Sequence, residues 1–293
     1  MKRSEFLTEL HAPSLSSEAA GVRIFCDREG KPGVRWVSAA GAVLWDTDFP
    51  GLFWKLKFFS NRSTGLSLSE NGEASVSTLE HLAPVLLLYP NVRFEIRALS
   101  PELPIFDGSA YPWFETVRKL AGLPQPLEFY DVPLRERFEI PGGFVEVCPA
   151  ETLEVEYSLS HGEFSDSAFL AVYDAEDLVK VFPARTFIFE DDFLKARAAG
   201  LLSAVTRQSG MLLSAEKGRA KVLSGGEFRM PCEPAFHKIL DLLGDISLPA
   251  PFLPRLRVRI HNGGHVAHRK LLERLKDYAP RYASQVEQER RPV

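Results

Sequence analysis

The stretch FHKILDLLGD occupies residues 236–245. Wound as an α-helix at about 100° per residue, it puts Ile239, Leu242, Leu243 and Ile246 on one apolar face. His237, Asp241 and Asp245 recur every four residues on the opposite face. An imidazole and a carboxylate one turn apart can reach the same point in space. Both are good zinc ligands when the imidazole is neutral. Two interpretations are open at this level. The stretch is half of a metal site on a rigid helix, or it is an amphipathic surface helix with a His–Asp pair. Further ligands must come from elsewhere in the chain.

Working outward, residues 22–26, 34–37 and 42–45 have the pattern of strands separated by Gly30, Gly33 and Gly41. Ser77-Thr78-Leu79-Glu80 has the form of a capping box and predicts a helix from there to Tyr89, with Pro84 kinking it. Residues 92–98 alternate as a strand, and 113–121 form a helix ended by Gly122. The Leu123-Pro124-Gln125-Pro126 stretch marks a domain boundary. Strands follow at 134–140, 144–148 and 153–159, a helix at 191–202, a strand at 256–260 and a last helix at 265–278. Both halves show strands first and helices among them. The expected fold is therefore α+β, with two domains of similar plan at residues 1–124 and 125–293.

A chain of 293 residues with 45% hydrophobic and 25% charged residues is an ordinary globular protein, large enough to need no disulfide staples. Net charge is −4 and no long basic run occurs, so nucleic acid is not an expected partner. Cys26, Cys148 and Cys232 are scattered and odd in number, which fits a reducing compartment. MKRSEFLTEL lacks the apolar core of a signal peptide. The longest apolar run, residues 83–89, is too short to span a bilayer. A soluble cytoplasmic monomer is expected, and transient contact with a membrane surface is compatible with this composition.

A catalytic zinc takes three protein ligands and keeps one position open. His237 and Asp241 supply two, and His81 is the best third because Glu80 precedes it. A carboxylate beside a metal ligand can act as general base. As an alternative, Glu80 is only the capping partner of Ser77. His265 follows a Gly-Gly turn and could act as general acid or stabilise an oxyanion, or could simply face solvent at a helix start. Thr186 could donate to an oxyanion or act as a cap. His11 and His268 are expected at the surface.

STLEHL (77–82), PELPIFDGSA (101–110), ARTFIFEDDFLKARAAGL (184–201), HKILDLLGD (237–245) and GGHVAHRKLL (263–272) together carry a resemblance. In their order and spacing the chain resembles the zinc-dependent UDP-3-O-acyl-N-acetylglucosamine deacetylase family, which catalyses the committed step of lipid A synthesis. The resemblance implies two α+β sandwich domains with the active site between them. It implies Zn2+ on His81, His237 and Asp241, with Glu80 as general base. His265 matches the assisting cation or acid, Asp245 the carboxylate that orients it, and Thr186 the hydroxyl that polarises the substrate carbonyl. Lys238 and Phe187 match substrate contacts, and Arg135 falls near a basic residue beside the diphosphate. The implied partner is a UDP-sugar bearing an acyl chain.

The chain also departs from that pattern. The family's early glycine-rich G-x-G-L-H-[ST]-G stretch has no counterpart in LHAPSLSSE (10–18). Ser203-Ala204-Val205-Thr206 replaces glycines that help form an acyl passage, and Ile188 replaces the glycine between two phenylalanines. Added side-chain volume there is expected to narrow or reroute the passage. Asn262 stands where a basic residue is usual. His161 lies near a family F-x-H-P position with different flanks, which leaves a structural role open. A lipid A deacetylase is the first expectation. A zinc amidohydrolase on another N-acetyl sugar nucleotide is the second, and a zinc-retaining binding or regulatory protein the third. Joint retention of ligands, base and last histidine favours an enzyme.

Overall fold

The structure, a computed structural model, describes residues 5–59, 62–69 and 74–278. In chain order the first half contains β1 (Glu5–Ala12), β2 (Ala20–Asp27), β3 (Gly33–Val37), β4 (Val43–Asp46) and a 3-10 turn at Pro50–Lys55. Then come β5 (Lys57–Phe58), β6 (Gly65–Ser67), β7 (Ser75–Ser77), α1 (Ala83–Leu86), β8 (Arg93–Ala98) and α2 (Tyr111–Ala121). The second half begins with β9 (Phe129–Asp131), β10 (Glu136–Ile140), β11 (Gly143–Pro149), β12 (Leu153–His161) and β13 (Phe164–Val172). It continues with α3 (Ala175–Val181), β14 (Phe187–Phe189), α4 (Glu190–Ala198), β15 (Met211–Glu216) and β16 (Arg219–Ser224). It closes with α5 (Glu233–Ser247), β17 (Leu253–His261) and α6 (His265–Leu275).

The fold is α+β, built from two similar domains. The first main sheet runs β1-β2-β8-β3-β4, and the second runs β10-β11-β17-β12-β13. In each sheet the pair joining the late strand to the third strand is parallel, namely β3 with β8 and β12 with β17, and in the second sheet β9 adds a short parallel pairing to β17. The two sheets thus repeat one topology, although the sequence shows no repeat. Alternation explains which face is covered. Val22, Ile24 and Cys26 on β2, and Leu256, Val258 and Ile260 on β17, are buried. Between the latter, Arg257 and Arg259 point outward and pair with Glu154 and Glu156 on β12.

Two small sheets, β5-β6-β7 and β14-β15-β16, are added to this plan and lead residues toward the site. Helix α5 is the hinge of the arrangement. It packs on β12, β13 and α6 of its own half and on α1 of the other. Ile239, Leu240, Leu242, Leu243 and Ile246 are fully or almost fully buried, each stabilising the fold by about 1.5–3 kcal/mol. His237, Asp241 and Asp245 are buried too, so the helix is not a surface element.

The helix expected over residues 77–89 is not formed. Ser77 ends strand β7, Thr78 turns with φ of 61°, and only the single turn Ala83–Leu86 is α-helical. Pro84 sits in its first turn, where no backbone donor is missed, so it causes no kink. The capping box is absent as well: the Ser77 hydroxyl donates to the carbonyl of Pro101. Among the described residues, no helix is long and apolar enough to cross a membrane.

Candidate functional site

His81 and Glu80 leave the first domain on the irregular segment between β7 and α1, and α5 brings His237 and Asp241 to meet them. Asp241 Oδ1 lies 3.2 Å from His237 Nε2 and 3.7 Å from His81 Nε2. The ligand atoms of His81, His237 and Asp241 all fall within 4.8 Å of one another, and all three residues are buried. His237 Nδ1 donates to the carbonyl of Ala184 at 3.2 Å, which leaves the Nε2 lone pair facing the cluster. Burial lowers the His237 pKa to about 3, so that ring is neutral. Burial works against ionised Asp241, but His237, Lys238, His81 and His265 outweigh it and hold the carboxyl well below its ordinary range. A neutral imidazole, a second imidazole and an ionised carboxylate converging at one point fit a divalent metal of the zinc type with a position left open toward the cavity. Among the described residues, His81 Nδ1 is buried without a hydrogen-bond partner.

A close helix contact makes this meeting possible. A Cβ built on Gly244 would lie 2.1 Å from the carbonyl oxygen of Glu80. Only glycine lets the backbone of α5 come that near the Glu80–His81 segment. Glu80 is buried, and its Oε2 accepts the backbone N–H of Thr64 at 3.0 Å. Desolvation raises the Glu80 pKa against the opposing pull of His265 and His81. Its Oε1 lies 3.9 Å from His265 Nε2.

His265 opens α6 after Gly264 and is buried rather than exposed to solvent. Its Nδ1 donates to Asp245 Oδ2 at 2.8 Å, and its Nε2 lies 3.9 Å from Asp241 Oδ2. Burial alone would lower the His265 pKa, but Asp245, then Glu80 and Asp241, raise it to about 9. The same pair holds Asp245 down to about 2, in spite of burial. Thr186 sits between two glycines. Its N–H donates to the Gly108 carbonyl at 2.7 Å, and its carbonyl accepts from Met211 N–H at 2.8 Å. A Cβ on Gly108 or Gly210 would meet the Thr186 methyl at 2.7 Å.

Glu80, His81, Asp241, His265, Thr186 and Lys238 open onto one cavity of about 1400 Å3. Away from the polar end its lining is mixed: Ile105, Ile188, Leu202, Val205, Leu212 and Leu223 share it with Asp107, Arg185, Arg207, Gln208 and Arg229. Phe187 lines the junction, with Lys238 Nζ 5.7 Å from its ring centre and 2.8 Å from Asp241 Oδ2. Arg135 is not brought to this site. It is exposed in the connection before β10 and does not line the cavity. His161 stacks on Phe189 at 3.9 Å and bonds Asp191 at 3.0 Å, a part-exposed cluster apart from the polar end. Thr64 and His268 were not expected. Thr64 donates its hydroxyl to Asp245 Oδ1 and its N–H to Glu80. His268, expected at the surface, is completely buried and bonds Asp245 at 2.8 Å. Its spacing of three from His265 was the one sequence signal, since positions three apart share a helix face.

The fold and site define a two-domain α+β protein. It has a buried His-His-Asp group that could hold a metal at one end of a cavity of mixed lining, with a carboxylate and an imidazole beside it. The chain belongs to the UDP-3-O-acyl N-acetylglycosamine deacetylase family, whose model matches residues 37–277. It is similar to proteins named UDP-3-O-acyl-N-acetylglucosamine deacetylase from three sources. With that of Synechocystis sp. it shares 28% identity over 217 residues, covering 72% of this chain and 76% of the relative. With that of Thermosynechococcus vestitus it shares 34% over 192 residues, covering 64% and 65%. With that of Aquifex aeolicus it shares 28% over 221 residues, covering 74% of each.

Proposed function

We propose that this chain is a zinc-dependent deacetylase. It hydrolyses the N-acetyl group of a UDP-3-O-acyl-N-acetylglucosamine in lipid A synthesis. The observation that carries this reading is a juxtaposition. A three-ligand set (His81, His237, Asp241) and an acid–base pair (Glu80, His265) share one end of a cavity whose lining includes Ile105, Ile188, Leu202, Val205, Leu212 and Leu223. The names of the similar proteins support the substrate class. Zinc bound by the three ligands supplies Lewis acidity, which polarises a carbonyl and lowers the pKa of water.

The chain's own residues do the rest. Glu80, kept basic by burial, takes a proton from the attacking water. Thr186 donates a hydrogen bond to the oxyanion that forms at the acetamide carbonyl, and the charge of His265 stabilises it. Asp245 holds the His265 ring with Nε2 toward the cavity. A proton from His265 or Glu80 goes to the leaving nitrogen as the C–N bond breaks, releasing acetate and a free amine. Lys238 and Phe187 contact the sugar nucleotide. The apolar part of the lining receives the acyl chain, with Ile188 and Val205 occupying volume there. We take residues 1–124 and 125–293 as the two domains. Free Cys26, Cys148 and Cys232 support a cytoplasmic setting.

Acetate release is measured on the acylated and the unacylated UDP-N-acetylglucosamine with zinc-loaded protein. The reading expects release from the acylated substrate and little from the other. Equal turnover of both would remove the acyl role of the cavity. No acetate from either, with zinc bound, would remove the deacetylase.

A further inference from the structure

Behind His265 lies a second buried histidine that the proposed chemistry does not use. His268 is 0% exposed, as is Tyr157 on β12. Asp245 Oδ2 lies 2.8 Å from Nδ1 of both His265 and His268, while Oδ1 accepts the Thr64 hydroxyl. The far nitrogen of His268, Nε2, lies 3.2 Å from the Tyr157 hydroxyl. An ionised carboxylate only accepts, so both Nδ1 atoms must donate to it. Burial lowers the His268 pKa, against the opposing pull of Asp245, and favours the neutral ring. Its Nε2 is then an acceptor, and the Tyr157 hydroxyl donates to it. The turn at Gly263 closes over this contact, since a Cβ there would lie 2.9 Å from the Tyr157 hydroxyl. The line of donors runs in one direction, from Tyr157 through His268 to Asp245.

We propose that His268, backed by Tyr157, is a positioning residue. By donating to Asp245 Oδ2 it fixes the carboxylate that turns His265 Nε2 toward the cavity. This rests on the deacetylase reading for its kinetic consequence, but its geometry is independent of that reading. Without the His268 donor, Asp245 keeps the Thr64 and His265 hydrogen bonds but loses the second donor on Oδ2 and can rotate about its Cβ–Cγ bond. Misplacement of a proton-transfer group by about 1 Å costs on the order of 10²-fold in rate.

Two substitutions separate this role from simple core filling. In His268→Asn the amide nitrogen takes the place of Nδ1, so the bond to Asp245 is kept and the Tyr157 contact is lost. In His268→Gln the amide takes the place of Nε2, so Tyr157 keeps its partner and Asp245 loses one. With zinc-loaded protein, His268→Gln is expected to lower kcat by about 10- to 100-fold with KM nearly unchanged, and His268→Asn to stay near wild type. In a His265→Ala background, His268→Gln should cost no further activity. The readout that does not need turnover is the downfield Nδ1–H proton resonance of His265. It should move in His268→Gln and stay in place in His268→Asn. Should His268→Gln fail to fold, Tyr157→Phe removes only the rear donor and should shift the same resonance by a smaller amount. Equal kcat in the Asn and Gln variants, or an unmoved His265 resonance in the Gln and Phe variants, overturns the proposal. A wild-type chain that releases no acetate would defeat the deacetylase reading, while the resonance would still decide the positioning role.

Discussion

Gly244→Ala is the substitution on which the assembly of the site depends most directly. The added methyl would stand 2.1 Å from the carbonyl oxygen of Glu80 and 2.7 Å from its carbonyl carbon and Cα, where ordinary contact begins at 3.4 Å. The obstacle is backbone on both sides, so no side chain can swing aside. Helix α5 must therefore retreat from the Glu80–His81 segment by about 1.3 Å, the difference between 3.4 and 2.1 Å. Alanine favours a helix over glycine by about 1 kcal/mol. Overpacking costs about 1–3 kcal/mol, so the net change is a loss of about 1 kcal/mol, a small fall in Tm. The effect on the site is larger. His237, Asp241 and Asp245 ride on α5, whereas Glu80 and His81 do not, so one shift separates two ligands from the third and Glu80 from the carboxylate that orients His265. A displacement of this size predicts a fall of about 10²-fold in kcat/KM, measured by acetate release well below Tm. Weaker zinc retention should accompany it. A Gly244→Ala protein with wild-type kcat/KM and zinc content would refute the claim that this contact sets the geometry.

Other perturbations have equally definite outcomes. Glu80→Gln should lower kcat by about 10²–10⁴-fold with zinc still bound, checked by metal analysis beside the rate. The pH dependence follows from His265, whose pKa lies near 9, above its ordinary 6.5. The stabilisation it gains from Asp245 is fully present below about pH 6.5 and is lost as pH rises through about 9. Activity that needs the imidazolium should fall on the same alkaline limb, and a kcat/KM profile of His265→Ala should lack that limb. Asp46 is buried against its will, but Arg93, the Asp48 N–H and Arg35 outweigh desolvation and hold its pKa below 3.8. Its contribution is present above the unfolded value of about 4 and is lost as pH falls through the lower folded value. Asp46→Asn should therefore cost about 1–3 kcal/mol in denaturant unfolding near pH 7 and leave kcat unchanged.

Much of the site was legible because its signals are local. The four-residue rhythm of His237, Asp241 and Asp245 survives in α5, and the resemblance in STLEHL brings His81 to the same point. What the rhythm does not carry is burial. A polar helix face reads as solvent-facing until a second domain is known to cover it. The capping box at Ser77 failed because β7 pairs with β6 through Ser77, Ser77 bridges to Glu102, and Thr78 turns with positive φ. The repeat of strand order between the domains is a property of backbone hydrogen bonding and leaves no trace in side-chain identity. Thr64 and His268 were hidden for a related reason. Each acts on Asp245 from an element remote in sequence, Thr64 at 181 positions and His268 across the α5–α6 packing. Arg135 was expected near the diphosphate from the resemblance, but it is exposed before β10 and does not line the cavity.

The most direct test is acetate release from a UDP-3-O-acyl-N-acetylglucosamine by metal-stripped protein as zinc is added back. The account predicts activity that rises with zinc to a plateau near about one equivalent per chain, as a single three-ligand site requires, with the plateau nearly abolished in Glu80→Ala. No acetate at any zinc level, or a plateau unaffected by Glu80→Ala, would contradict it.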